Sequence, residues 1–154
     1  MSNKSIPTVE TQMLIRRPVN EVFQAFIDPS ITTQFWFTKS SGMLEKDKTI
    51  TWEWEMYGVS TQVLVKEIIP NKKIKIEWDK PATTVEFEFN DRNDGTTYVV
   101  IKNYGFDLKP GDLIEAIKDN TGGFTTVLDG LKAYLEHNLK LDLIADKFPE
   151  KLKE

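Results

Sequence analysis

The sequence predicts an α+β domain in which a curved antiparallel sheet of about six or seven strands wraps around a long C-terminal helix. Two short helices are predicted after the first strand. Three observations support this fold: apolar residues recur at every second position through the middle of the chain, short polar turns separate these runs, and an apolar stripe with helical spacing comes near the end. Short turns make consecutive strands antiparallel, and one face of such a sheet needs a covering helix.

The N-terminal part predicts one strand and two short helices. Apolar and polar residues alternate through Thr8–Arg16, which is typical of a strand. The spacing then changes to that of an amphipathic helix, with Val19, Val22, Phe23 and Phe26 on one face. Asp28-Pro29 ends this helix. Ser30 is predicted to cap a second short helix that ends at about Phe35.

Five further strands are predicted from period-two alternation. One of them lies within TITWEWEMYG (Thr49–Gly58), in which Ile50, Trp52, Trp54 and Met56 alternate with polar residues and Tyr57-Gly58 forms the turn to the next strand. The last strand is apolar on both faces, so the sequence leaves its inward face open. The five strands are Thr49–Met56, Val59–Ile69, Lys73–Trp78, Thr83–Phe89 and Thr96–Phe106.

The C-terminal third predicts helices. Asp112–Asn120 is predicted as a short helix, and the sequence Thr121-Gly122-Gly123 either interrupts it or opens the next helix with Thr121 as its cap. That next helix runs to about Asn138 and carries the stripe Phe124, Val127, Leu128, Leu131 and Leu135. We expect a single domain over residues 1–154, with a flexible start at 1–7 and a C-terminal extension at 139–154.

Composition excludes several classes of function. The 154 residues carry a net charge of −4 and no clustered basic stripe, which argues against nucleic-acid binding. The chain has no cysteine, so disulfides and cysteine-based zinc sites are excluded. Without a signal-like start or an apolar run of about 18 residues, a cytoplasmic protein that does not insert into membranes is expected.

Large apolar side chains on neighbouring strands predict the candidate site. They are expected to face the C-terminal helix and to line a cavity for an apolar or aromatic small molecule, and the alternative is a filled core. Glu67 continues the face of Val63 and Val65, so it is expected to point inward near a strand end. The predicted ligand-binding residues are Trp36, Trp52, Trp54, Val63, Val65, Glu67, Ile76, Trp78, Phe87, Phe89, Phe124, Leu128 and Leu131.

The titratable residues predict no catalytic centre. His137 is the single histidine and lies near the end of the last helix, where a cation favours the helix dipole. A metal site would depend on carboxylates alone, so no metal and no cofactor are predicted. Glutamates at 53, 55, 86 and 88 alternate with the apolar positions and are expected on the outer face. The polar groups that can orient a ligand are Tyr57, Tyr98, Asn103 and Tyr104.

Three stretches carry a family resemblance: RRPVNEVFQAFIDPSITTQFWF (Arg16–Phe37), GTTYVVIKNYGF (Gly95–Phe106) and GGFTTVLDGLKAYLEHN (Gly122–Asn138). They resemble the START-like (SRPBCC) superfamily, which has the helix-grip fold. Within it the chain is most similar to the group related to the C-terminal domain of the activator of heat-shock-protein-90 ATPase. The tail LDLIADKFPE (Leu141–Glu150) is similar to extensions of bacterial members. The resemblance implies this fold over about residues 8–149.

The resemblance and the residue pattern together leave three functions open. The first is non-catalytic binding of a hydrophobic small molecule, lipid-like or polyketide-like, between the sheet and the C-terminal helix. The second is a protein-interaction domain with a chaperone as its partner, although larger family members depend on a further N-terminal domain for which this chain has no room. The third is a cyclase-like enzyme, for which Glu67 or a tyrosine is the candidate acid or base.

Overall fold

A computed structural model describes residues 7–79 and 81–149 of the chain. The described residues form one seven-stranded antiparallel sheet in the order β1-β7-β6-β5-β4-β3-β2. The strands are β1 Thr8–Ile15, β2 Lys39–Ser40, β3 Thr49–Trp54, β4 Val59–Ile69, β5 Lys73–Trp78, β6 Thr83–Asp91 and β7 Thr97–Tyr104. The helices are α1 Val19–Ile27, α2 Pro29–Thr32, α3 Pro110–His137 and α4 Leu143–Lys147, and a 3-10 helix lies at Glu55–Tyr57.

This architecture confirms the predicted α+β helix-grip fold. Two short helices follow the first strand, and α3 packs across the sheet against β1. The two-residue strand β2, which the alternation pattern does not reveal, pairs with β3 at one edge. None of the described helices is long and apolar enough to cross a membrane. Of the predicted flexible start and C-terminal extension, residues 1–6 and 150–154 lie outside the described residues.

A cluster of hydrogen bonds ties α3 to the end of β1. The Lys132 ammonium donates to the carbonyl of Leu14 at 2.9 Å and to Glu136 Oε2 at 2.6 Å. The same carboxylate oxygen accepts from the backbone N–H of Arg16 at 2.8 Å. Burial alone would raise the pKa of Glu136, but these donors and the positive charge of Lys132 outweigh it and lower the pKa. The carboxylate is therefore held charged where α3 meets the sheet.

The prediction of two helices over residues 112–138 is wrong, because α3 is continuous from Pro110 to His137. The Thr121 hydroxyl donates to the carbonyl of Ile117 at 2.6 Å, one helical turn back, and so does not act as a cap. A glycine inside a helix costs only about 1 kcal/mol. Burial of Phe124 and the residues after it offsets that cost for Gly122 and Gly123.

The predicted cap of α2 is also wrong by two residues. Asp28 is the N-cap, and its carboxylate accepts from the backbone N–H of Ser30 at 2.9 Å and from the Ser30 hydroxyl at 2.8 Å. Pro29 occupies the first helical position, which requires an extended residue before it. The helix ends at Thr32, and a further turn leads to Trp36, whose N–H donates to the carbonyl of Thr32.

The register of β7 resolves the face that the sequence left open. Thr97, Val99, Ile101 and Asn103 are buried on the inner face, and Tyr98, Lys102 and Tyr104 lie on the outer face. Asn103 pairs with Val85 on one side and with Val9 on the other, both of which are buried. One polar amide therefore lies among the apolar inner residues of the sheet.

Close approach between α3 and the segment after α2 predicts opposite effects of two glycine substitutions. A Cβ at Gly130 would lie 3.2 Å from both the Cβ and the carbonyl oxygen of Phe35, whereas a Cβ at Gly123 would meet nothing within 4 Å. Gly130→Ala should lower the free energy of unfolding by about 1–3 kcal/mol through overpacking. The matched control Gly123→Ala should raise it by up to about 1 kcal/mol through helix propensity. Urea denaturation measures both, and a stabilising Gly130→Ala would contradict this packing.

Candidate functional site

The interior between the sheet and α3 is filled by aromatic and branched side chains. Trp36 lies at its centre with 7% of its surface exposed, and its ring contacts Phe26, Phe37, Trp52, Trp78, Phe87 and Phe124 with centroid distances of 4.9–6.4 Å. Trp52 is 2% exposed and stacks on Phe37 at 4.5 Å. Trp54 is partly buried, and its ring meets Phe37 edge-on. Of the two alternatives left by the sequence, the filled core describes this region.

Most of the predicted ligand-binding residues therefore belong to the packed core. Those with at most 2% exposure are Trp52, Val63, Val65, Ile76, Phe87, Leu128 and Leu131. Phe89 is also buried and borders an open groove near Val19 and Asn71, on the side of α1. Three predicted residues, Trp36, Trp78 and Phe124, come together at a single crevice.

This crevice, called here the α3 crevice, lies between the middle of α3, the end of β5 and α4. It has a volume of about 80 Å³. An engineered apolar cavity of about 150 Å³ accommodates benzene, so the α3 crevice is too small for a ring without movement of a wall. Its walls are Trp36, Trp78, Asn120, Gly123, Phe124, Val127 and Ile144.

A second crevice, called here the α4 crevice, lies under the C-terminal segment. It has a volume of about 60 Å³ and extends from Thr33 and Phe35 to Gly130 and residues 140–145. Trp36 and Ile144 border both crevices. The Ile144 side chain therefore lies where the two spaces would join.

Two contacts with Tyr57 hold α4 in this position. The Tyr57 hydroxyl lies 3.1 Å from the carbonyl oxygen of Ile144 and 3.4 Å from that of Phe148, and it donates to them. Burial, together with the negative charge of Asp146, raises the pKa of Tyr57, so the hydroxyl keeps its proton at neutral pH. None of the described residues of α4 is fully buried, so this segment is weakly attached.

The α3 crevice has one polar wall, built by an amide chain from the sheet to α3. Asn103, with no exposed surface, donates from Nδ2 to the carbonyl of Thr84 at 2.9 Å and to the Thr83 hydroxyl at 3.0 Å. Its Oδ1 accepts from Asn120 Nδ2 at 3.0 Å. Asn103 was one of four polar groups expected to orient a ligand, and here it positions Asn120, which borders the crevice.

The expectation that Glu67 points inward is wrong because of a β-bulge. Val65 pairs with Ile76, but the next pair is Glu67 with Lys75, which leaves Lys66 unpaired and shifts the alternation of β4 by one residue. Ile68 then turns to the core, and the Glu67 side chain, 44% exposed, lies 3.6 Å from the Lys73 ammonium.

Tyr104 is likewise directed outward. Its hydroxyl donates to Glu86, which also pairs with the Lys73 ammonium at 3.0 Å. Burial and this hydrogen bond raise the pKa of Tyr104 to about 12. Burial alone would raise the pKa of Glu86, but Tyr104 and Lys73 together lower it. The outer-face placement of Glu86 and Glu88, predicted from alternation, is confirmed.

Four residues of the crevice are not among the predicted ligand-binding residues: Asn120, Gly123, Val127 and Ile144, of which Val127 belongs to the predicted apolar stripe. Asn120 precedes Phe124 by four residues and Val127 by seven, which is the spacing of one helix face. A polar residue in line with an apolar stripe was therefore a signal for Asn120. The apolar residues of the tail, Ile144 among them, indicate that it packs back on the domain, but where Ile144 lies depends on the contact of α4 with Tyr57.

Comparison with known proteins assigns the family. The family described as activator of Hsp90 ATPase homolog 1-like protein matches residues 16–136, most of the chain. The chain belongs to this family. The resemblance to START-like proteins seen in the sequence is thereby confirmed. No functionally curated protein matches the chain.

Solved structures share the fold of this family member. The protein SSP2350 from Staphylococcus saprophyticus is 29% identical, with a TM-score of 0.77, and the match covers 88% of this chain and 96% of that one. The Aha1 dimer from Colwellia psychrerythraea is 17% identical, with a TM-score of 0.73 and coverages of 86% and 98%. DynU16, from the dynemicin biosynthetic locus, is 16% identical with a TM-score of 0.76; the match covers 86% of this chain and 48% of DynU16.

Removal of the Tyr57 hydroxyl should measurably weaken the attachment of α4. Tyr57→Phe removes the oxygen and keeps the ring, so one hydrogen-bond donor worth about 0.5–1.5 kcal/mol is lost. Amide hydrogen exchange in residues 143–148 should become about twofold to tenfold faster, with the strands unchanged. Tyr98→Phe, on the outer face of β7, is the control and should leave these amides as they are. Unchanged exchange in Tyr57→Phe would show that the hydroxyl does not hold α4.

Proposed function

We propose that this protein binds an apolar small molecule in the α3 crevice, which the molecule enlarges by displacing Ile144. The observation that carries the proposal is the position of Ile144 between two small spaces lined largely by apolar residues. Ligand pockets are concave and mostly apolar with a few placed polar groups, and this crevice has that character. The family and fold support a ligand-binding domain or a domain like the homologues of the Hsp90 ATPase activator.

The weak attachment of α4 supports displacement. The segment that carries Ile144 is a helix of five residues with no buried side chain. It lies between Asn138 and Phe148, and both Asn138 and Asp142 adopt positive φ angles of 54° and 55°. A segment with few buried contacts opens at lower free energy than the core. The described part of the predicted extension, residues 139–149, would thus act as a cover.

Binding rather than catalysis is proposed. Among the described residues, seven border the α3 crevice, and none of these is titratable. The cyclase-like alternative needs an inward acid or base, for which Glu67 or a tyrosine is the candidate. Glu67 and Tyr104 face outward, and none of the four tyrosines borders the α3 crevice. At about 25 cal/mol per Å² of buried apolar surface, the walls of the enlarged crevice would provide the binding free energy.

Interaction with a chaperone is the second candidate function. The family match to homologues of the activator of Hsp90 ATPase favours it. An exposed apolar residue, Ile114 with 67% of its surface accessible, lies on the first half of α3 and is available for a partner. Stimulation of the cognate Hsp90 ATPase that is unaffected by Ile144→Ala would support this candidate over small-molecule binding.

Ile144→Ala tests the proposed ligand site. We expect 2-methylnaphthalene to bind this variant about fivefold more tightly than the wild type. In the wild type the ligand must displace the Ile144 side chain, which costs about 1 kcal/mol or more of apolar burial, and in the variant it does not. Titrations of oleate, flavanone and 2-methylnaphthalene, followed by amide and indole NMR signals, give the affinities. Ile114→Ala, an exposed isoleucine on α3, is the matched control and should bind as the wild type does. Equal affinities for all three proteins, or no saturable shift with any compound, would contradict the proposal.

A further inference from the structure

The donor and the acceptor of each hydrogen bond between Thr84, Asn103 and Asn120 follow from the chemistry of the groups. The carbonyl of Thr84 can only accept, so the Asn103 atom that contacts it at 2.9 Å is the donor Nδ2. The other amide atom of Asn103 is then the acceptor Oδ1, which faces Asn120 at 3.0 Å. Asn120 must meet it with its own Nδ2. The Oδ1 of Asn120 therefore points away from Asn103, and no described residue donates a hydrogen bond to it.

A second polar group among the residues that border the crevice is a donor without an acceptor in the described part of the chain. The indole Nε1 of Trp78 is buried and has no hydrogen-bond partner among the described residues. An unsatisfied buried donor costs about 1–3 kcal/mol, so its presence calls for an explanation. Trp78 borders the α3 crevice together with Asn120, and its ring lies 5.7 Å from that of Phe124.

We infer that the ligand of the α3 crevice carries a neutral hydroxyl group, which accepts from Trp78 Nε1 and donates to Asn120 Oδ1. This inference rests on the proposed function and names the class of ligand. A hydroxyl is the smallest neutral group that both donates and accepts. Two residues that border the crevice, Asn120 and Trp78, carry an acceptor and a donor that no described residue satisfies. The remaining walls, which include Phe124 and Ile144, are apolar and suit the body of an apolar alcohol or phenol. A carboxylate or ammonium finds no opposite charge among the described residues that border the crevice, and burial without a partner disfavours it.

A series of three probes of similar shape tests this inference on the wild-type protein. The probes are 2-naphthol, which donates and accepts, 2-methoxynaphthalene, which only accepts, and 2-methylnaphthalene, which does neither. Each hydrogen bond should tighten binding by about twofold to tenfold. We expect affinity to fall in the order given, with 2-naphthol at least about fourfold tighter than 2-methylnaphthalene.

The indole signals give a second readout in the same titrations. The signal of Trp78 is identified by its loss in Trp78→Phe. Its indole proton should move downfield with 2-naphthol and 2-methoxynaphthalene, which accept a hydrogen bond, and much less with 2-methylnaphthalene. An unmoved indole proton in a titration that saturates elsewhere would overturn the role of Trp78.

Substitution of Asn120 separates the two hydrogen bonds. In Asn120→Ala the preference for 2-naphthol over 2-methoxynaphthalene should disappear, because the acceptor for the hydroxyl proton is gone. Asp119→Ala, an exposed neighbour on α3, is the matched control and should keep the preference of the wild type. If Asn120→Ala does not fold, the order of the three probes on the wild type still decides the matter.

The outcomes distinguish this inference from the proposed function. Equal affinity for the three probes would overturn the hydroxyl class and leave binding of an apolar molecule intact. Binding of oleate at the α3 crevice without binding of any naphthalene would also overturn the hydroxyl class and leave binding of an apolar molecule intact. Failure of every compound to bind would overturn both.

Discussion

The packing of Trp36 is the constraint on which the rest of the structure depends. The Asp28 cap begins α2, and the buried Thr32 hydroxyl donates to the carbonyls of Ala25 at 2.5 Å and Asp28 at 3.0 Å. The following turn directs Trp36 into the space between the sheet and α3. Large aromatic rings bury 150–250 Å² each, and edge-on contacts add to that burial. These side chains thereby fill the space between the curved sheet and α3.

The interior is filled, so among the described residues empty space remains only at gaps in the packing. The α3 crevice is one such gap, and the polar side chains of Asn120 and Trp78 border it. The first half of α3 has no buried side chain, and the short α4 covers this part with Ile144. Below the crevice, the amide of Asn103 is fully satisfied, whereas Trp78 Nε1 is not. The packed core and the α3 crevice therefore share Trp36 and Phe124 as a common wall.

The strands could be predicted because alternation is regular where one face is buried, as at Thr83–Phe89. The bulge at Lys66 could not be predicted, because one extra residue reverses which face of the sheet the following residues occupy without changing the composition of the strand. For this reason the prediction placed Glu67 on the inner face, whereas it lies on the outer face. The continuity of α3 depends on tertiary packing that outweighs the cost of two glycines. At the site, alternation and the helical stripe identified Trp78 and Phe124 as inward. Ile144 reaches the crevice through a contact with Tyr57, 87 positions away in sequence, which no local pattern encodes.

In the proposed function, a ligand enters at Ile144 and not within the core between the sheet and α3. Intermolecular NOEs between bound 2-methylnaphthalene and methyl-labelled protein with protonated tryptophan rings distinguish these two positions. We expect contacts from the ligand to the methyl groups of Ile144 and Val127 and to the ring of Trp78. Contacts to Val63, Val65 and Leu131 instead would contradict it, because they would require the packed core to open.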